Sequence, residues 1–272
     1  MGSPLWRRSV FILAFSIAAS ARAQLHFGTN KIVPGEVLEF RAAPNSSAKN
    51  EAASVGVAIP YVSGAFVLPR GFTNLSRPCP LVIVSVPSGG AAIRSIAAYT
   101  NVALSEGWAV FAADGPKVTV EQDSIQYGWG MLSSALEQFT ATWPQVKRWP
   151  VACVGFSGGA KRSGAVAAAL AAANWRVIGI FMGGANEDIA TLGLRLYHPP
   201  PALKGVPIFL SNGNQDPIAN GELGSKVHAS LTSSGFTMIR QETYDGAHRL
   251  HAEHVRQALQ WYANIGRIQS AK

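Results

Sequence analysis

The segment Gly155-Phe156-Ser157-Gly158-Gly159 has the residue types and spacing for nucleophilic chemistry. It follows the apolar run Val151-Ala152-Cys153-Val154 and opens into a small-residue stretch, 161–173, with helical character. A serine between glycines at a strand-to-helix turn reads as a nucleophile elbow. The turn is sharp and strained, so the neighbours of the serine must lack side chains that would collide with the strand or the helix. The hydroxyl is then held at the top of a sheet, beside a helix N-terminus whose free N–H groups and positive dipole suit a developing oxyanion.

A serine hydroxyl is a weak nucleophile at neutral pH and needs a base within hydrogen-bond reach, for which an imidazole has the right range. The imidazole in turn needs a carboxylate to fix its tautomer. Two later segments offer these groups: Asn212-Gly213-Asn214-Gln215-Asp216-Pro217 and Tyr244-Asp245-Gly246-Ala247-His248. Ser157, Asp216 and His248 stand in the chain order Ser, Asp, His that suits a doubly wound sheet. Asp188 and Asp245 compete for the acid, but Asp216 directly follows a strand and precedes Pro217, which places it in a turn. His248, His251 and His254 recur every three residues without an H-E-x-x-H pattern, so they are not read as metal ligands. His251 and His254 fall where the last helix begins, whereas His248 lies in the glycine-rich loop before it. For the oxyanion, one donor is the N–H of Gly158 and the other the N–H of Ser88 or Gly89, in the loop Pro87-Ser88-Gly89-Gly90. Tyr127 and Trp129 are candidates for a substrate-binding surface, with helix-start packing an equal alternative.

The elements that must position these groups alternate. Continuous apolar runs predict buried strands over 81–86, 108–113, 151–156, 177–181, 207–211 and 237–242. Periodicity predicts helices over 91–105, 129–142, 221–233 and 252–265, the last with Val255, Leu259 and Tyr262 on one core stripe. Further strands are expected over 37–41, 54–59 and 65–68, and a surface loop over 45–50. Alternating strands and helices imply an α/β fold: a mostly parallel central sheet with helices on both faces and ligands outside the carboxyl ends of the strands.

Residues 1–23 read as a signal peptide. Arg7 and Arg8 form a basic start, an apolar run of about ten residues follows, too short to span a bilayer, and Ala21-Arg22-Ala23 is a small-x-small cleavage site. The Arg pair raises twin-arginine export, but its flanking residues fit that signal poorly. Residues 24–52 read as an N-terminal extension and 53–272 as the main domain. The expected location is secreted or periplasmic, with no stable membrane insertion once the leader is removed. The formal net charge is +8, but the basic residues are scattered, so no nucleic-acid partner is inferred. Of the two cysteines, Cys153 lies inside the elbow strand and reads as a buried small hydrophobe.

Over roughly residues 60–265 the chain resembles the α/β-hydrolases. The resemblance rests on Pro80-Leu81-Val82-Ile83-Val84, the elbow, the Gly213…Asp216 turn, and His248 followed by Ala258-Leu259-Gln260-Trp261-Tyr262. It is similar to the secreted esterase branch with feruloyl esterases, polyhydroxyalkanoate depolymerases and dienelactone-hydrolase-like proteins. That resemblance implies a Ser157/Asp216/His248 triad and no cofactor; no metal is expected, from the histidine spacing above. The branch usually carries His-Gly where this chain has Ser88-Gly89. Only about 25 residues separate the strands around Phe181 and Pro207, too few for a lid domain.

The leading reading is a serine hydrolase acting on small-molecule or polymer-borne carboxylic esters through an acyl-enzyme. A peptidase or amidase on the same three residues, or a non-catalytic binding protein on the same scaffold, are the alternatives. The sequence leaves acyl group, alcohol and oligomeric state open.

Overall fold

The computed structural model describes residues 24–119 and 121–270. The leader-like segment 1–23 lies outside the described residues. In chain order the elements are β1 (His26–Phe27), β2 (Asn30–Lys31), β3 (Leu38–Ala42), α1 (Ser46–Ser54), β4 (Val62–Val67), β5 (Leu81–Ser85), α2 (Ala92–Ser105), β6 (Ala109–Ala113) and α3 (Ile125–Thr142). There follow β7 (Pro150–Phe156), α4 (Gly158–Ala172), β8 (Arg176–Gly183), α5 (Ala190–Tyr197), β9 (Ile208–Gly213), α6 (Gly221–Ser233), β10 (Ile239–Tyr244) and α7 (Ala252–Ser270).

Eight strands form one sheet in the order β10-β9-β8-β7-β5-β6-β4-β3. The pairs from β10 through β6 are parallel, and β4 pairs antiparallel with both β6 and β3. The strand order reverses at β5, which has β7 on one side and β6 on the other. At such a reversal the loops after neighbouring strands leave toward opposite faces and open a crevice. The loops after β5 and β7 therefore border it, and these carry Ser88 and Ser157.

The central strands are apolar on both faces because both are covered. One face holds α2 and α7, with Ile96, Tyr99, Leu259 and Tyr262 buried against Val82, Val110 and Val154. The other holds α1, α3, α4, α5 and α6, with Phe139, Ala167 and Leu231 packed over Ile83, Cys153 and Leu210. Burying each such Leu, Ile or Phe stabilises the fold by about 1.5–3 kcal/mol. The stripe Val255, Leu259 and Tyr262 on α7 is buried, as its spacing requires. Among the described residues no helix is long and apolar enough to cross a membrane.

Residues 24–52 pack onto the sheet edge and into the core. Strand β3 pairs with β4 along the sheet edge. Phe27 packs among Phe40, Phe66, Phe139 and Trp143, and the Trp143 indole donates to the His26 carbonyl at 2.9 Å. The expected loop over 45–50 belongs to α1, and the expected strand over 54–59 is absent. Asn45 caps α1, its side chain accepting from the Ala48 N–H, while its amide donates to Ser133 and Glu137 of α3. An Asn/Ser/Ala/Lys tract reads as loop until a cap and a partner helix supply what propensity lacks.

Both cysteines are free and buried. Burial pushes the Cys153 thiol far up and Cys79 up to about 11. Each is then a protonated thiol at neutral pH, and only the thiolate is reactive. Folded protein at pH 8 should therefore leave both unlabelled by a maleimide, with stoichiometric labelling in denaturant; rapid labelling of the native protein would contradict this.

Helix α7 meets the sheet at Gly179. A Cβ there would lie 2.3 Å from the Tyr262 ring, whose hydroxyl donates to the Ile180 carbonyl at 2.6 Å. Gly179→Ala should destabilise the protein by about 1–3 kcal/mol in denaturant titration, the usual cost of overpacking. A neutral effect would show that α7 is free to shift.

Candidate active site

Four loops converge at the carboxyl edge of the sheet, after β5, β7, β9 and β10. The elbow after β7 is the tightest. Ser157 has φ 55 and ψ −122, a conformation that costs a non-glycine residue of order 1–3 kcal/mol. The chain can turn this sharply because of close backbone approaches on both sides. A Cβ on Gly155 would lie 2.1 Å from the Gly159 carbonyl oxygen, and one on Gly159 would lie 2.2 Å from the Ser85 carbonyl oxygen. Any side chain at either position would push β7, α4 and β5 apart. The Ser157 N–H donates to the Gly183 carbonyl at 2.8 Å, and the Ser157 carbonyl accepts from Ala160 at 2.9 Å, so the turn is fixed from before and after.

Asp216 follows β9 and is buried, with no side-chain exposure. One carboxylate oxygen accepts from the N–H groups of Ile218 (2.8 Å) and Ala219 (2.9 Å). The other lies 2.6 Å from His248 Nδ1. Burial alone would push the Asp216 carboxyl up; the hydrogen bonds from His248, Ala219 and Ile218 outweigh it and hold the carboxyl below its ordinary value. An ionised carboxylate only accepts, so Nδ1 carries the proton and Nε2 of the neutral ring is left with the lone pair. Nε2 is buried and has no hydrogen-bond partner among the described residues.

The His248 ring is placed beside the elbow by two contacts. It packs at a tilt of 39° against Phe156, the residue before Ser157, with ring centroids 4.7 Å apart, and it lies over Gly184, where a Cβ would be 2.9 Å from its Cε1. Gly184 adjoins the carbonyl that fixes the Ser157 N–H. The loop bearing His248 is fastened by the Tyr244 hydroxyl, which bonds to the Arg249 carbonyl and lies 3.1 Å from that of Ala247. Sequence reasoning missed both Phe156 and Tyr244, because an aromatic next to a strand end carries no signal separate from core packing.

The competing residues have structural partners. Asp188 accepts from the Ala190 N–H and from the hydroxyls of Thr191 and Ser230, all between α5 and α6. His254 is buried with Nδ1 2.8 Å from the Ser211 hydroxyl, and His251 stacks on Tyr244. Among the described residues no group of three or more His, Cys, Asp or Glu side chains is placed to hold a metal ion.

In the loop after β5 the two candidate donors differ. The Gly89 N–H is committed to the Pro116 carbonyl at 2.8 Å, so it does not face a ligand. The Ser88 and Gly158 N–H groups have no such backbone partner, and Pro87 packs against Gly158. They border a cleft of ≈ 600 Å³ whose walls also include Ile125, Lys161, Ile189 and Leu192. Lys161 pairs with Glu187 across its rim at 3.1 Å. Helix α5 and the loop before it form part of this wall; with a 3-10 turn over Pro201–Gly205 they make up the structured insertion between β8 and β9, and among the described residues there is no large lid.

The aromatic candidates do not line the cleft. Tyr127 is 1% exposed and belongs to the core. Ser124 caps α3 four residues earlier than the periodicity suggested, and this phase turns Tyr127 inward. Trp129 packs on Tyr197 and lines a separate small cavity of ≈ 20 Å³ between α3 and α4.

No family model matches the sequence, and no curated protein matches it. Solved structures do. An α/β serine hydrolase without a lid from Xanthomonas campestris superposes with a TM-score of 0.56 over 86% of this chain and 97% of that one, at 19% identity. An α/β serine hydrolase homologue from Coxiella burnetii gives 0.53 over 86% and 98%, at 16% identity. A ferulic acid esterase gives 0.58 over 85% and 98%, at 12% identity. At such identities the likeness is one of architecture: the chain has the α/β-hydrolase fold.

The strain at Ser157 can be measured. Ser157→Gly removes the Cβ penalty at φ 55, while Ser157→Ala removes only the hydroxyl. Ser157→Gly should unfold at higher denaturant than Ser157→Ala, by about 0.5–1 kcal/mol after the entropic cost of glycine. The reverse order would mean that the elbow is unstrained.

Proposed function

We propose that the protein is an exported serine hydrolase that cleaves carboxylic esters through an acyl-enzyme. The observation that carries this reading is the buried Asp216–His248 pair, with a free Nε2, held against the elbow that presents Ser157. The fold likeness to serine hydrolases and a ferulic acid esterase supports the same class. Export rests on the leader-like pattern of residues 1–23.

In this mechanism His248 Nε2 takes the Ser157 hydroxyl proton as Oγ attacks the ester carbonyl carbon. The carbonyl oxygen becomes an oxyanion and accepts from the Gly158 and Ser88 N–H groups. The tetrahedral intermediate collapses, the C–O bond to the alcohol breaks, and His248 returns the proton to the departing oxygen. Water then attacks the acyl-enzyme with His248 as base, releasing the acid and restoring Ser157. Asp216 stays ionised throughout, orienting His248 and stabilising the imidazolium formed in each half-reaction.

A fluorophosphonate probe should label wild type at Ser157 and leave folded Ser157→Ala unlabelled. Wild type should hydrolyse short-chain p-nitrophenyl esters faster than the matching anilides, and Asp216→Asn should lower kcat by about 10³–10⁴ by forcing the wrong tautomer. An absence of labelling in folded wild type would favour a binding role, and anilides cleaved as fast as esters would favour an amidase.

A further inference from the structure

We propose that Arg162 is the positioning residue of the oxyanion hole, acting through the Ser88 hydroxyl; this rests on the hydrolase reading above. The two donor groups come from different strands, and their spacing must be held if both are to meet one oxygen. Gly158 is fixed as the first residue of α4. The second half of the β5 loop is also fixed: Gly89 donates to Pro116, Gly90 donates to Pro87, and Gly115 donates to Gly90. Ser88 is different. Among the described residues its N–H has no backbone partner, and its hydroxyl accepts from Arg162 Nη2 at 3.0 Å.

Arg162 stands on α4 one turn beyond Gly158, so one rigid helix carries one donor and holds the residue bearing the other. The guanidinium itself is set from several sides. It pairs with Asp123, from the loop before α3, and its Nη1 lies where a Cβ on Gly128 would approach to 2.9 Å. Arg162 is 8% exposed, and burial lowers the pKa of its guanidinium. A long cation withdrawn from water, whose Nη2 donates to both a carboxylate and a hydroxyl, has few other positions open to it. The same residue lines both the 600 Å³ cleft and the small cavity beside Trp129. A charge at this site does not serve as a surface ion pair, and Asp123 offsets it, so an anionic ligand gains little from it. Its geometry serves the Ser88 loop.

The test is a double-mutant cycle with Ser88→Ala and Arg162→Met, read on p-nitrophenyl acetate. Ser88→Ala keeps the backbone N–H and removes only the anchor, so its folding is not at issue. It should lower kcat by about tenfold to a hundredfold, the scale expected when a catalytic group is misplaced without being lost. KM should change by much less, and Ser88→Thr, which keeps a hydroxyl, should restore most of the rate. The double variant should be no slower than Arg162→Met alone. Labelling by fluorophosphonate, counted per folded molecule, corrects for any instability that Arg162→Met introduces by leaving Asp123 unpaired. A wild-type kcat in Ser88→Ala, or effects that multiply in the double variant, would overturn the inference while leaving the hydrolase reading intact. A wild type that neither turns over nor labels at Ser157 would overturn both.

Discussion

The contact between Gly159 and the Ser85 carbonyl, with that between Gly155 and Gly159 beside it, is the constraint on which the site depends. Three chain segments meet there with no room for a methyl group. The close approach draws the start of α4 onto the end of β5, and Ser157 is left with no conformation but a strained one. Everything else at the site is arranged around a serine that cannot relax. The same approach brings the free N–H of Gly158 to the loop after β5. Close packing of the sheet core, with buried apolar residues on both faces of β5, β7 and β8, supplies the rigidity that maintains the strain.

Polarity is then distributed by depth. Asp216 is the most buried member, compensated by two backbone N–H groups and by His248. His248 is partly exposed, against the Phe156 ring. The donors of the β5 loop and of α4 open on the cleft. A carboxylate placed this deep keeps its charge only because its hydrogen bonds exceed the cost of desolvation, and that charge settles the imidazole tautomer. The order of burial thus becomes an order of roles.

Much of this was legible in the chain. Buried strands announce themselves by unbroken apolar runs, so β5, β6 and β7 were readable, and α6 could be placed by its periodicity. Asp216 and His248 were readable because each sits just past a strand in a turn-rich segment. What was not legible depends on contacts between distant segments. Helix α1 is a weak former stabilised by Asn45 reaching α3. Tyr127 changed role because Ser124 starts α3 one turn early. Arg162 looks like an ordinary helix charge, and its partners Asp123 and Ser88 lie 39 and 74 positions away. Gly89 was a reasonable donor until its N–H was seen to bond Pro116.

The central claim is that Ser157, His248 and the two backbone donors act on one acyl group. A crystal structure of the protein after reaction with diethyl p-nitrophenyl phosphate tests it most directly. The account predicts phosphorus bonded to Ser157 Oγ, with the phosphoryl oxygen about 2.7–3.1 Å from both the Gly158 and Ser88 nitrogens. Phosphorus on another side chain, or a phosphoryl oxygen turned away from those two donors, would contradict it.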